Sequence, residues 1–251
     1  MRASARVVAV RAGGVTRLPV LRGQSPLLLR RTAALGPVAS VRLVGGAAGP
    51  LGGDDLRLTV EVGPGARLVL RTVAASVALP GPNGAASRVS VEATVAAGGR
   101  LDWYPEPLVA AAGCHHLATA RVTLAEGAAL AWREELVCGR HGEQPGDATV
   151  ALSVTYDGRP LYQQELAVGP SAPGWAGPAV LDGARVVGAT LYVHPGWSAR
   201  PPTPVVLSPT AAVMPLSGPG VLATATGPDA TVVRRALAAA ADHVAGCARD
   251  S

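Results

Sequence analysis

The sequence predicts a mainly β protein, a β-helix-like or solenoid-like winding of short strands with a helix at the C-terminal end. Three observations carry this. Segments 56–62, 89–95 and 120–124 place an apolar residue at every second position, the period of a half-buried strand. Each is followed by a related turn, GPGARL at 63–68, AAGGRL at 96–101 and AEGAAL at 125–130, with Gly65, Gly98 and Gly127 in the same place. Finally, Val233, Leu237, Ala240 and Val244 form an apolar stripe at helical spacing near the end of the chain.

A glycine recurring in one place of a turn supplies a positive φ without a Cβ clash. The intervals, 33 residues from Gly65 to Gly98 and 29 from Gly98 to Gly127, suit a repeating coil of two to four short strands. A meander of hairpins that share turn chemistry has the same signature, and both readings are mainly β. Ten prolines between 169 and 220 predict edge strands and extended loops there, because proline cannot donate to a central ladder. At the C-terminus, Pro228 and Asp229 give a start signal with Asp229 as N-cap, and the helix is expected over about 229–246, ending at Gly246. At 251 residues the chain is read as one domain, 1–251.

Composition narrows the function. The chain has no Phe, Ile or Lys, so all 22 basic residues are arginine, and the net charge is +5. These arginines are scattered among acids, aromatics are 3% of the chain, and no nucleic-acid motif accompanies them, so no nucleic acid is expected and an acidic protein partner fits better. Cys114, Cys138 and Cys247 are odd in number and lack a C-x-x-C spacing, which argues against a disulfide framework. The N-terminal apolar run is interrupted by arginines, and no stretch of about 18 uncharged apolar residues occurs, so a cytoplasmic chain with no membrane partner is expected.

Catalytic signals are sparse. No G-x-S-x-G, H-E-x-x-H or phosphate-binding glycine loop is present, and the chain is read as a non-enzyme. Cys114, His115 and His116 have the side-chain types of a zinc or nickel site. Strand neighbours point to opposite faces, however, so the alternative is a run of partly exposed strand residues. Gly139-Arg140-His141-Gly142-Glu143 is either a turn with a surface ion pair or a loop presenting charge to a partner. Trp103-Tyr104-Pro105-Glu106-Pro107 reads as core aromatics leading into a rigid extended segment suited to an interface. Gly52 and Gly53 precede Asp54 and Asp55, where Asp54 can cap the turn or face inward while Asp55 faces solvent.

Taken in order, these segments resemble the urease accessory protein D family, called H in some bacteria. The matching elements are Pro26-Leu27, the GPLGGDDL run at 49–56, Gly65-Ala66, LDWYPEP at 101–107, Gly113, Gly139-Arg140 with Gly142-Glu143, DGRPL at 157–161, and 220–222 with 227–229. The family's TQAATK-like segment is RTVAASVA at 71–78 here, and an acid after the Pro-Leu turn is Gln164, with Glu165 adjacent. The resemblance implies a non-catalytic scaffold that binds the urease apoprotein and the accessory proteins F and G. It also implies no tightly bound cofactor, with Ni²⁺ in transit through an internal tunnel. On that reading Asp54, Glu143 and Glu165 are the expected transient nickel ligands. Gly53, Asp55, Trp103, Pro105, Glu106, Pro107, Gly139 and Arg140 are expected to be interface or structural positions. The competing expectation is an independent β-solenoid or β-sandwich ligand-binding module, and a weaker one is a Cys/His metal hydrolase centred on Cys114, His115 and His116.

Overall fold

A computed structural model describes residues 1–34 and 36–249, and its side chains through 247. Two antiparallel hairpins open the chain, β1 (Arg2–Ala12) with β2 (Val15–Gly23) and β3 (Leu27–Thr32) with β4 (Ala39–Gly45). Winding follows. β5 (Asp55–Val62) turns into β6 (Arg67–Thr72) and the short β7 (Ser76–Ala78); β8 (Ser87–Val95) turns into β9 (Arg100–Tyr104) and the short β10 (Leu108–Ala110); β11 (His115–Leu124) turns into β12 (Ala129–Val137). The hairpin β13 (Asp147–Tyr156) with β14 (Arg159–Val168) closes one sheet. β15 (Val186–Val193), β16 (Val205–Ser208), β17 (Ala211–Pro215) and β18 (Gly220–Gly227) extend the other, and α1 (Ala230–Arg249) packs on it.

Successive coils stack in parallel. β1, β5, β8, β11 and β13 run side by side in the first sheet, and β4, β6, β9 and β12 in the second. β7 and β10 form a short third side, with β10 also pairing the end of β12. The three related turns lie on one another: the Gly65 N–H donates to the Ala97 carbonyl, and the Gly98 N–H to the Gly127 carbonyl. All three glycines have positive φ. This is the repeating coil, and the hairpin meander is set aside.

The inner faces fill the gap between the sheets. Leu68, Leu70, Leu101, Leu124 and Leu130 are almost fully buried near the glycine turns, each contributing about 1.5–3 kcal/mol by leaving water. On β11 bulk falls away from that end: its inward positions run Leu124, Val122, Ala120, Ala118 and His116.

Two expectations are corrected here. β15 and β18 lie inside the second sheet, not at an edge, because the prolines sit in the connections and leave 186–193 and 220–227 free to donate on both sides. The helix starts as expected, with the Asp229 carboxylate accepting from the Val232 N–H at 2.9 Å, but it continues through Gly246 to Arg249. One glycine in a helix costs only about 1 kcal/mol against alanine, and the stripe of Val233, Leu237, Ala240 and Val244 buried on the sheet outweighs it. Gly188 makes room for that stripe, since a Cβ there would lie 2.7 Å from Val233 Cγ1 and 2.8 Å from Leu237 Cδ1.

Candidate functional site

Away from the glycine turns, the sheets border a partly open cavity of about 650 Å³. Most of its walls are apolar: Leu56, Leu58, Val89 and Ala118 face it from the first sheet, and Trp103, Trp132, Leu136 and Ala189 from the second. Asp54, Glu106, His116, Glu134, Glu135 and Arg140 bring ionisable groups to it, Asp54, His116 and Glu134 from three different strands or strand ends. The 72–77 segment, from the end of β6 into β7, and Ala47 with Ala48 line it too, so the stretch that departs from the expected TQAATK pattern borders the cavity.

Each ionisable group is held by its surroundings. Glu134 shares the inward parity of Trp132 and Leu136 on β12, and the Trp132 indole N–H donates to its carboxylate at 3.0 Å. Burial raises the Glu134 pKa above its ordinary value, and the indole bond only partly opposes it. Asp54 is 6% exposed; one carboxylate oxygen accepts from the Leu51 N–H at 2.9 Å and the other from the Met1 amino group at 2.8 Å. Burial acts to raise its pKa, but these hydrogen bonds outweigh it and the carboxyl stays below its usual range. The Ser87 hydroxyl lies 3.3 Å from the His115 carbonyl and 2.8 Å from His116 Nδ1. The direction of the Ser87–Nδ1 bond follows the tautomer: Nδ1–H donates to Ser87 when the hydroxyl hydrogen goes to the carbonyl, and the hydroxyl donates to Nδ1 when Nε2 carries the proton.

At the cavity wall a charged cluster that includes Glu106 and Glu135 ties strand to helix. Glu135, with a fully buried side chain, has Arg133 Nε at 3.1 Å and accepts from Arg234 Nε of α1 at 3.1 Å. Arg234 also reaches the Glu106 carboxylate at 2.5 Å, so one guanidinium links the helix to the segment after β9. That segment is pinned twice more, by the Glu106 N–H donating to Thr72 Oγ1 at 2.8 Å and by Arg133 donating to the Pro105 carbonyl at 3.1 Å.

A protein-family model described as UreD urease accessory protein matches residues 1–250. The chain is 48% identical over 239 residues to the urease accessory protein UreD of Streptomyces coelicolor, covering 94% of each chain. It is 47% identical to that of Streptomyces avermitilis, covering 94% of this chain and 95% of the relative, and 44% identical to that of a Parafrankia species, covering 95% and 86%. The chain belongs to the UreD family. Membership places it among the accessory proteins of urease and bears out the resemblance drawn from the order of its glycine, WYPEP and GRHGE segments.

The UreD fold sorts the expected site residues. Asp54, Trp103, Pro105, Glu106 and Arg140 border the cavity. Glu143 and Glu165 lie elsewhere: Glu143 closes its own turn, with Arg140 at 2.5 Å, and Glu165 is exposed on β14. The Arg140 hydrogen bond draws the Glu143 carboxyl down to about 2. Gly139 has φ +84 where a Cβ would meet the Glu143 carbonyl at 2.8 Å, so this turn is built around Gly139. Asp55 points away from Asp54 and pairs with Arg57 at 3.1 Å. Gly53 takes φ +93, and Gly52 lies against the Gly81 backbone so closely that a Cβ would meet Gly81 N at 2.5 Å. Those glycines let the chain turn Asp54 inward.

Two readings change. The Trp103–Pro107 segment is not an exposed platform: Trp103 stacks on Trp132 with ring centres 5.5 Å apart, Pro107 is buried, and the residues between are half-buried. Cys114 and His116 are buried rather than partly exposed, while His115 is exposed and meets Asp147 at 3.4 Å. Among the described residues no three His, Cys, Asp or Glu side chains converge as a metal site, and burial pushes the Cys114 thiol up to about 11, so it stays protonated. Sequence reading missed Glu134. Its signal was a carboxylate at core parity in W-R-E-E-L.

His116 gives the fold a pH dependence. Burial pushes its imidazole from 6.5 down to about 4, so the folded chain binds fewer protons than the unfolded chain between those values. Stability is therefore complete above about pH 6.5 and is lost progressively as pH falls toward about 4, by on the order of 3 kcal/mol. Denaturant melts at about pH 7 and about pH 5 should show this slope, and His116→Gln should flatten it; an unchanged slope in the variant contradicts the assignment.

Proposed function

We propose that this chain is a urease maturation scaffold that binds apo-urease together with the accessory proteins F and G, and that its cavity passes Ni²⁺ toward the urease active site. Alongside family membership, the observation that supports this most is a cavity with apolar walls to which Asp54, His116 and Glu134 each bring one group from a separate part of the wall. Metal in transit needs ligands strong enough to admit the ion and weak enough to release it, which spaced single donors provide and a closed His/Cys cage does not. Glu134 suits such a step, because its raised pKa lets a proton and a metal ion compete for the same carboxylate. Asp54 has both oxygens engaged, so an entering cation must displace a hydrogen-bond donor there.

A small-molecule-binding module is the second reading, favoured by one observation: the cavity volume falls within the range of about 300–1,000 Å³ usual for ligand sites. Co-expression with the urease F and G proteins of the same genome separates the two. Light scattering after size-exclusion chromatography is expected to give the mass of an assembly containing all three. A monomer with no affinity for either protein favours the binding module.

A further inference from the structure

The outer face of the second sheet is only partly covered. α1 packs mainly on β15 and β18, and on the outward side of β3, β4 and β6 Arg30, Arg67 and Arg71 are exposed and Arg42 is half-buried. On this open part, Arg30 stands opposite Arg42, Arg42 opposite Arg71, and Arg71 opposite Tyr104 in one cross-strand row. Arg133 continues it: the Arg71 and Arg133 guanidinium carbons lie 5.2 and 5.5 Å from the centre of the Tyr104 ring. Nearer the glycine turns, Arg67 stands opposite Arg100. Two acids lie in this area: Asp102 is held by Arg100 at 2.8 Å, and Glu135, at the end of the row, is shared by Arg133 and Arg234 at 3.1 Å each. Among the described residues, Arg30, Arg42, Arg67 and Arg71 have no carboxylate at ion-pair distance.

Like charges directly opposite on neighbouring strands, about 4.8 Å apart, oppose folding. Carboxylates laid across the row would turn that repulsion into paired hydrogen bonds, since each guanidinium offers a planar fork to a carboxylate. We propose that the Arg30–Arg42–Arg71 row is a docking surface for an acidic segment of a partner protein. The inference rests on the scaffold reading above and names the chemistry of one of its contacts. Nucleic acid fits less well, because the aromatic of the row, Tyr104, is flanked by two guanidiniums and offers no free ring for base stacking. A second copy also fits less well. The other broad outer face alternates its signs, with Arg2 opposite Asp55, Asp55 opposite Arg88 and Glu92 opposite Arg121, and so presents no free acidic patch.

The test uses the full chain and the triple variant Arg30→Gln/Arg42→Gln/Arg71→Gln. Fluorescence anisotropy measures binding of a labelled oligo-glutamate peptide and of an oligo-thymidine strand of equal length at low and moderate salt. Thermal melts check folding, and removal of like charges is expected to leave the variant at least as stable as the parent. The intact chain is expected to bind the peptide in a salt-sensitive way, and the variant to lose at least about tenfold, with Arg121→Gln on the other sheet unchanged. Co-purification with the urease apoprotein and the F and G proteins is expected to weaken in the variant. Equal peptide binding by variant and parent overturns the proposal, as does tighter binding of oligo-thymidine than of the peptide. If the parent itself assembles with no urease protein, the scaffold reading fails, while the peptide comparison still decides the chemistry of this face.

Discussion

Trp132→Ala is expected to lower stability by about 4 kcal/mol. The side chain is 1% exposed, stacks on Trp103 and donates its indole N–H to Glu134, so the substitution enlarges the cavity and removes the donor at once. Trp132→Phe separates the two effects. It keeps most of the ring and loses only the hydrogen bond, for about 1–2 kcal/mol, and the Glu134 carboxyl should then titrate at still higher pH because burial acts without opposition. Urea melts of both variants measure the stabilities, and equal losses would show that the indole bond outweighs packing.

Glu135→Ala is expected to cost about 3 kcal/mol, the range for leaving buried charge without its partner. Arg133 loses its carboxylate, and Arg234 keeps only the exposed side of its pairing, through Glu106. Because Arg234 belongs to α1, the loss should concentrate there. Amide exchange across 230–247 is expected to speed up well before that of β5, β8 and β11, and uniform acceleration over the whole chain would contradict the idea that this cluster fastens the helix.

Much of the fold was legible because the coil repeats. Alternating strands and a glycine at one place in each turn are local signals, and stacking copies of one coil leaves few ways to pair them. The two errors have local causes as well. Proline density over 169–220 hides their placement before β15 and in the connections from β15 to β18, with only Pro215 inside a strand; and Gly246 reads as a stop, whereas the buried stripe carries the helix past it. The site was less legible. Asp54 was found from its turn, but the partners that make a cavity of it arrive from β11 and β12, and only the winding brings them together. Glu143 and Glu165 do not line this cavity, and their order along the chain carries no information about which side of a sheet a residue faces. Parity does carry it, and parity marks both His116 and Glu134 as inward.

The measurement that bears most directly on the nickel path is the metal content of urease after maturation with this chain, its Glu134→Gln variant and its Asp54→Asn variant, each co-purified with the same partners. Both substitutions keep side-chain size and remove the charge a cation would meet. Nickel per urease active site is expected to fall at least about fivefold with Glu134→Gln and less with Asp54→Asn, whose oxygens are already engaged, while the amount of assembled complex stays the same. Full nickel loading by both variants would contradict a path through this cavity.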